Sequence, residues 1–270
     1  MLKIDGATAV LGAHRVLDGF SARVRQGRLT ALVGPNGCGK STLLRAVMGF
    51  VPLSAGAIRL DDQPIRGLPR PALARRVAYL PQDSHCPDHL SVGELVELGG
   101  YARCGLFGGP DAADRARFRA ALTTVGLSDL AHRPVNALSG GQRQRAWIAL
   151  VLAQDAPLML LDEPVNHLDM RYQYDVLALV RDLTLHHGRT VVCVLHDMNL
   201  ASGFADDLVM MKDGRAEVAG PVEATLTATN VARVFGFDAE ILRHNGRTLC
   251  LPQLADRGPA NHRPQGAARA

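Results

Sequence analysis

The stretch "GPNGCGKST", residues 34–42, is where residue types and spacing first suggest chemistry. Its glycines let the backbone turn its N–H groups inward, and a lysine and two hydroxyls follow at once. Amides at a helix start, with the helix dipole behind them, suit phosphate oxygens. The pattern is G-x-x-x-x-G-K-[ST], and its context fits, with an apolar run, "LTALVG", before it and a helical run, "STLLRAVMGF", after it. Lys40 is then expected to reach β and γ phosphates and the Ser41 hydroxyl to ligate Mg²⁺. Cys38 reads as packing, not as a nucleophile.

Other residues share this logic. "LMLLLDEP" is an apolar run ending in Asp162 and Glu163. A strand ending in carboxylates presents them at the sheet edge where the glycine loop also lies. There Asp162 would hold Mg²⁺ through water, and Glu163 would polarise an attacking water as general base. "VLHD" puts His196 at the end of another apolar run, a candidate γ-phosphate contact. Gln82, in "YLPQDS", follows the strand-like "RRVAYL"; its neutral amide can ligate Mg²⁺ or orient water. A second glycine pair, in "ALSGGQRQRAW" (137–147), again offers bare amides at a helix start. "HCPDH" (His85–His89) gathers four potential ligands, but zinc sites usually draw on two separated pairs and no second pair matches it, so it reads as loop.

The elements that must carry these residues are legible. Residues 1–30 read as short strands with turns around Gly6, Gly12, Gly19 and Gly27. Leu43, Leu44, Val47 and Met48 align on one helical face, with Gly49 as a stop. Residues 90–153 have helical spacing, with Phe118, Leu122 and Val125 aligned. Beyond them come an apolar strand, a helix over about 169–187 and a second apolar strand, "TVVCVLHD". Apolar strands without alternation are buried on both faces, as in a parallel sheet. The end, 255–270, is rich in Pro, Gly, Ala and Arg and reads as a flexible tail.

Composition narrows the rest. At 270 residues, 47% hydrophobic and 21% charged, the chain can bury a sizeable core. The net charge of +4 comes without blocks of Lys or Arg, which gives no argument for nucleic acid. Five scattered cysteines without a Cys-x-x-Cys pair read as reduced thiols. The first residues lack a signal peptide's apolar core, and runs such as "LMLLL" fall far short of the roughly 20 residues a membrane span needs. A membrane role would therefore run through a partner.

With these residues in place, the chain resembles the nucleotide-binding subunit of ATP-binding cassette transporters over about residues 1–250. The resemblance rests on six motifs in the family's order. They are a Walker A loop (Gly34, Pro35, Asn36, Gly37, Cys38, Gly39, Lys40, Ser41, Thr42), Gln82, the signature "LSGGQ" at 138–142, a Walker B strand at 158–163, "NHLD" at 166–169, and His196. It implies an α/β fold: a P-loop NTPase core with a mostly parallel sheet, an N-terminal antiparallel β subdomain and a helical insert subdomain at about 88–153, all within 1–254. It implies ATP and Mg²⁺, with Ser41, Gln82 and Asp162 as metal ligands and Glu163 and His196 as catalytic residues. It also implies a head-to-tail dimer in which Ser139, Gly140, Gly141 and Gln142 of one copy, with Asp169 nearby, complete the other copy's ATP site.

"RQRAWIA…LAQ" and "VFGFDAEIL" look like the importers of ferric siderophores, haem and vitamin B12, the siderophore branch above all. Implied partners are integral permease subunits and, indirectly, a substrate-binding protein, at the cytoplasmic face of the bacterial inner membrane, with no nucleic acid expected. The rival reading, a soluble cassette acting on nucleic acid or ribosomes, usually carries a long coiled-coil insertion or two cassettes, and neither is here. Two positions depart from the family. Leu11 stands where an aromatic usually stacks on adenine, and Val165 where small or hydroxyl residues are commoner.

Overall fold

The computed structural model describes residues 2–83, 86–104 and 109–253. Strands β1 (Leu2–Leu11) and β2 (His14–Val24) form an antiparallel hairpin that turns at Gly12, where φ is 61°. These strands are longer than the sequence suggests. Gly6 and Gly19 lie inside them with φ of 59° and 67°, and the pairing register slips between Ile4 and Ala7. A left-handed glycine there makes a bulge that bends the strand without ending it.

Strand β3 (Leu29–Val33), buried at every position, runs into the glycine loop and helix α1 (Lys40–Val47). After β4 (Ala55–Leu60) and β5 (Gln63–Pro64) the first sheet is complete, in the order β2-β1-β4-β5. Helix α2 (Arg70–Ala74) precedes β6 (Val77–Leu80). The helical stretch follows: α3 (Val92–Glu97), α4 (Tyr101–Cys104), α5 (Ala112–Thr124) and α6 (Gly140–Ala153).

Strand and helix then alternate through β7 (Leu158–Leu161), α7 (Met170–Leu185), β8 (Thr190–Val194), α8 (Met198–Phe204) and β9 (Asp207–Lys212). Next come β10 (Arg215–Pro221), α9 (Val222–Thr225), α10 (Ala228–Phe235) and a closing hairpin, β11 (Ala239–His244) and β12 (Arg247–Pro252). The main sheet runs β10-β9-β3-β8-β7-β6, parallel except for β10 at its edge.

Alternation along the central strands builds two cores, one on each face of this sheet. Ala31, Met159, Leu161, Val191, Cys193 and Met210 pack on one side with residues of α6 and α7. Leu32, Leu158, Leu160, Val192, Val194 and Met211 pack on the other, against α1 and the first sheet. Side chains two apart share a face, so strands buried on both sides read as unbroken apolar runs. The tail foreseen at 255–270 lies outside the described residues, as does His85 of "HCPDH".

Candidate functional site

Parallel register decides where the chemistry collects. Leu80 pairs with Leu161, Leu161 with Cys193, and Leu32 with Val194. The chain therefore leaves β3, β6, β7 and β8 along one edge, which carries Gly34, Gln82, Asp162 with Glu163, and His196. Ligands of open α/β sheets bind at such an edge.

The loop at 34–39 is pressed on from outside. A Cβ on Gly34 would stand 2.1 Å from the Met211 carbonyl oxygen, and one on Gly39 would stand 2.7 Å from that of Val16. Gly39 also has φ of 105°, and its carbonyl accepts from Leu43 N–H at 2.9 Å, starting α1. Only glycine satisfies both demands. Lys40 is buried at 5% exposure; its Nζ donates to the carbonyls of Gly34 at 2.8 Å and Pro35 at 3.0 Å. Cys38 is buried in the second core and packs behind the loop, with its N–H donating to Pro35 O at 3.3 Å.

Behind Ser41 lies Asp162, 1% exposed. Both its oxygens are engaged: Oδ1 accepts from Ser41 Oγ at 3.0 Å and Oδ2 from Tyr79 Oη at 3.2 Å. Burial pushes the Asp162 carboxyl above the usual carboxylate range, against these two bonds. Burial, helped by the Asp162 charge, pushes the Tyr79 phenol up to about 12. Ser41 and Asp162, with the Gln82 amide nearby, are hard oxygen donors of the kind Mg²⁺ takes, so the residues present fit that ion.

Glu163 has a left-handed backbone, φ 55°, uncommon for a residue with a Cβ and a mark of a constrained site. Its carboxylate draws three groups together. Gln82 Nε2 donates to Oε2 at 2.8 Å, Asn166 Nδ2 donates to the same oxygen, and His196 Nε2 stands 2.6 Å from Oε1. In this arrangement the Gln82 amide faces Glu163.

A cavity of about 500 Å³ unites these parts. Asn36, Gly37, Gly39, Lys40, Ser41, Thr42, Gln82, Glu163 and His196 line it. So do Val16, Asn166 and His167, none of them expected there as a contact. For Val16 and Tyr79 no local signal existed; for Asn166 and His167 the signal was their place three and four residues beyond Glu163.

Other expected residues stand apart. Leu11 is 44% exposed at the outer end of β1, on the hairpin that also carries Val16. Asp169 is the N-cap residue of α7 and does not line the cavity. Ser139–Gln142 form the start of α6, also away from the lining. A capping box fixes that start: Gln142 N–H donates to Ser139 Oγ at 3.3 Å, and Ser139 N–H to Gln142 Oε1 at 3.1 Å. Gly141 is buried, and a Cβ there would come 2.6 Å from Tyr172 Cδ1, so glycine lets α6 approach α7 closely.

One comparison decides the family: the ABC transporter family pattern matches residues 17–166. The chain belongs to the ABC transporter family. As a member it is an ATPase, the cassette that binds and hydrolyses ATP. The petrobactin import ATP-binding protein FpuD of Bacillus anthracis is 39% identical over 253 residues, covering 93% of each chain. Among solved structures, the inward-facing conformation of a putative metal-chelate type ABC transporter matches at a TM-score of 0.81 and 27% identity, covering 94% of this chain and 97% of that one. A dimeric post-hydrolysis state of the ATP-binding cassette MJ0796 bound to ADP and Pi matches at 0.70 and 27% identity, covering 82% and 99%. These cassettes share the P-loop NTPase fold. Among the described residues no helix is long and apolar enough to cross a membrane.

Proposed function

We propose that this cassette powers a membrane importer for ferric siderophores, with haem and cobalamin importers the next readings. The observation that carries the proposal is the division of the site. One copy gathers the phosphate loop, Glu163 and His196 around a single cavity, with Asp162 bonded behind Ser41, while Ser139 and Gly140 stand exposed elsewhere, at the start of α6. A helix start with exposed amides is a ready anion site. Two copies docked head to tail would bring it to the open side of the other's triphosphate, and the dimeric cassette bound to ADP and Pi supports that pairing.

In this reading Lys40 and the loop amides hold the β and γ phosphates. Ser41 and Gln82, with Asp162 through water, would hold Mg²⁺, which would supply neutralisation of the phosphate charge. Glu163 takes a proton from the attacking water as its oxygen bonds to the γ-phosphorus, the bridging oxygen's bond to that phosphorus breaks and its electron pair leaves on ADP, and His196 contacts the γ-phosphate. Before that, Glu163 must leave Gln82 and Asn166, which bond to it now. Cleavage removes the group that joins the two copies, so the pair loosens.

The cassette acts at the cytoplasmic face of the bacterial inner membrane, held there by permease subunits that a binding protein loads. Phe50, Leu98 and Tyr101 support a permease-facing patch. They are exposed at 54%, 54% and 59%, α2 packs against α4, and the Arg70 guanidinium lies 4.9 Å over the Phe50 ring. Siderophore cargo is favoured by the similarity to a petrobactin import protein and to a metal-chelate type transporter. The test is uptake by proteoliposomes holding the cassette with a ferric-siderophore permease and its binding protein. ATP-dependent uptake of a ferric siderophore is expected; uptake of haem or cobalamin alone, or failure to bind any permease, would contradict it.

Leu11 gives a separate expectation. With no ring to stack on adenine, the parent should discriminate weakly between ATP and GTP. Leu11→Tyr should tighten ATP about fivefold, the size of one aromatic contact near 1 kcal/mol. Equal ATP affinity in both proteins, measured by titration, would remove Leu11 from the nucleotide site.

A further inference from the structure

Helix α8 starts two residues after His196, and it is only seven residues long. Its local anchor is Asp197, whose Oδ1 accepts from Asn199 N–H at 2.7 Å and Leu200 N–H at 2.9 Å. A second anchor comes from far along the chain. The Asn199 side chain acts as a neighbouring strand's backbone would. Its Nδ2 donates to the Cys250 carbonyl at 3.2 Å, and its Oδ1 accepts from the Cys250 N–H at 2.8 Å. One turn on, Ser202 Oγ donates to the Thr248 carbonyl at 2.6 Å. Thr248 and Cys250 are buried, at 6% and 3% exposure, on one face of β12.

This hairpin is not needed to finish the main sheet. It is a separate two-stranded sheet, it lies beyond the residues that match the family pattern, and its packing falls chiefly on α8 and α10. A lone hairpin is marginal in water. Here it is fastened to the one helix that follows directly from the histidine at the phosphate cavity.

We propose that the β11–β12 hairpin braces His196 and that Asn199 is the positioning residue; the inference rests on His196 acting at the γ-phosphate. Paired donor and acceptor bonds to one backbone residue fix both the height and the rotation of the first turn of α8. That turn continues through Asp197 to His196, whose Nε2 is 2.6 Å from Glu163 Oε1. Without the clasp of the Asn199 pair the turn is held by its cap, by the buried Leu200 and Ala201 and by the single Ser202 bond one turn further on, which leaves it free to pivot about that bond. A displacement of about 1 Å at a reacting group costs on the order of 10²-fold in rate, and a partial loss of restraint costs less.

The experiment compares Asn199→Ala with the parent as full-length proteins, by ATP turnover and by histidine-selective NMR. Of the ten histidines, His196 is assigned by the signal missing in His196→Ala. Asn199→Ala should lower kcat about tenfold, leave KM for ATP within twofold, and shift or broaden the His196 ring signal alone. Asn199→Asp keeps the acceptor for Cys250 N–H but sets a carboxylate oxygen against the Cys250 carbonyl. It should give the same two changes, and it stands in if the alanine variant fails to fold. A kcat within twofold of the parent, or an unmoved His196 signal, in the variant that folds would overturn the brace. A parental rate in His196→Ala would instead remove His196 from the chemistry, while the ring signal would still report on the clasp.

Discussion

Glu163→Gln should bind ATP about as tightly as the parent, hydrolyse it about 10³-fold more slowly, and accumulate as an ATP-bound dimer. The size follows from the loss of a general base, which contributes 10²–10⁴-fold. The substitution keeps the shape of the side chain but cannot take a proton from water. Its surroundings can adapt. The Gln oxygen can still accept from Gln82 Nε2, and the new amide can donate to His196 Nε2, which stands 2.6 Å from Oε1 in the parent. Binding is spared because Glu163 is not among the groups that hold phosphate. Size-exclusion chromatography at saturating ATP reads the dimer, and phosphate release reads the rate. A monomer under those conditions, or turnover within tenfold of the parent, would count against Glu163 as the base.

Lys40→Ala acts at the opposite step. The Lys40 ammonium is buried at the head of α1, donating to the carbonyls of Gly34 and Pro35, where it borders the cavity. Hydrogen bonds to charged groups contribute about 1.5–3 kcal/mol each. Two such bonds to β and γ oxygens therefore amount to an affinity loss on the order of 10²–10⁴-fold, at about 1.4 kcal/mol per tenfold. The change also leaves two loop carbonyls without their donor, so the loop itself should loosen. Titration calorimetry with ATP measures the effect, and an unchanged Kd would contradict the assigned role.

How much of this was legible in the sequence depends on how local each signal is. The loop from Gly34 to Thr42 carries its pattern within nine residues, and the strand before it and helix after it are local too. Asp162, Glu163 and His196 were readable because apolar runs end at them, and an apolar strand must end at a sheet edge. The bonds that set the site were not readable. Tyr79 meets Asp162 across 83 positions and Asn199 meets Cys250 across 51, contacts that exist only once the sheet and the last hairpin are in place. Asn166 was close enough in sequence, but the left-handed turn at Glu163 that folds it back onto the carboxylate has no residue signal. Gly6 and Gly19 suggested turns because left-handed glycine serves turns and bulges alike; pairing with β2 and β4 decided for the bulge.

The start of α6 shows the same limit from the other side. "LSGGQ" reads as amides offered to an anion, but in the folded chain its residues have immediate structural uses. Ser139 and Gln142 cap the helix, and Gly141 makes room for Tyr172. What remains for a ligand is the exposed face of Ser139 and Gly140, which a single copy leaves unused.

A structure of Glu163→Gln with ATP and Mg²⁺ shows whether that face meets the triphosphate of a second copy. Two copies are expected, in which the Ser139 hydroxyl and a neighbouring glycine amide lie about 3 Å from the γ-phosphate that the other copy's Lys40 holds. ATP seated on its loop with Ser139 open to solvent, in a monomer or in a pair joined by another surface, would contradict this arrangement.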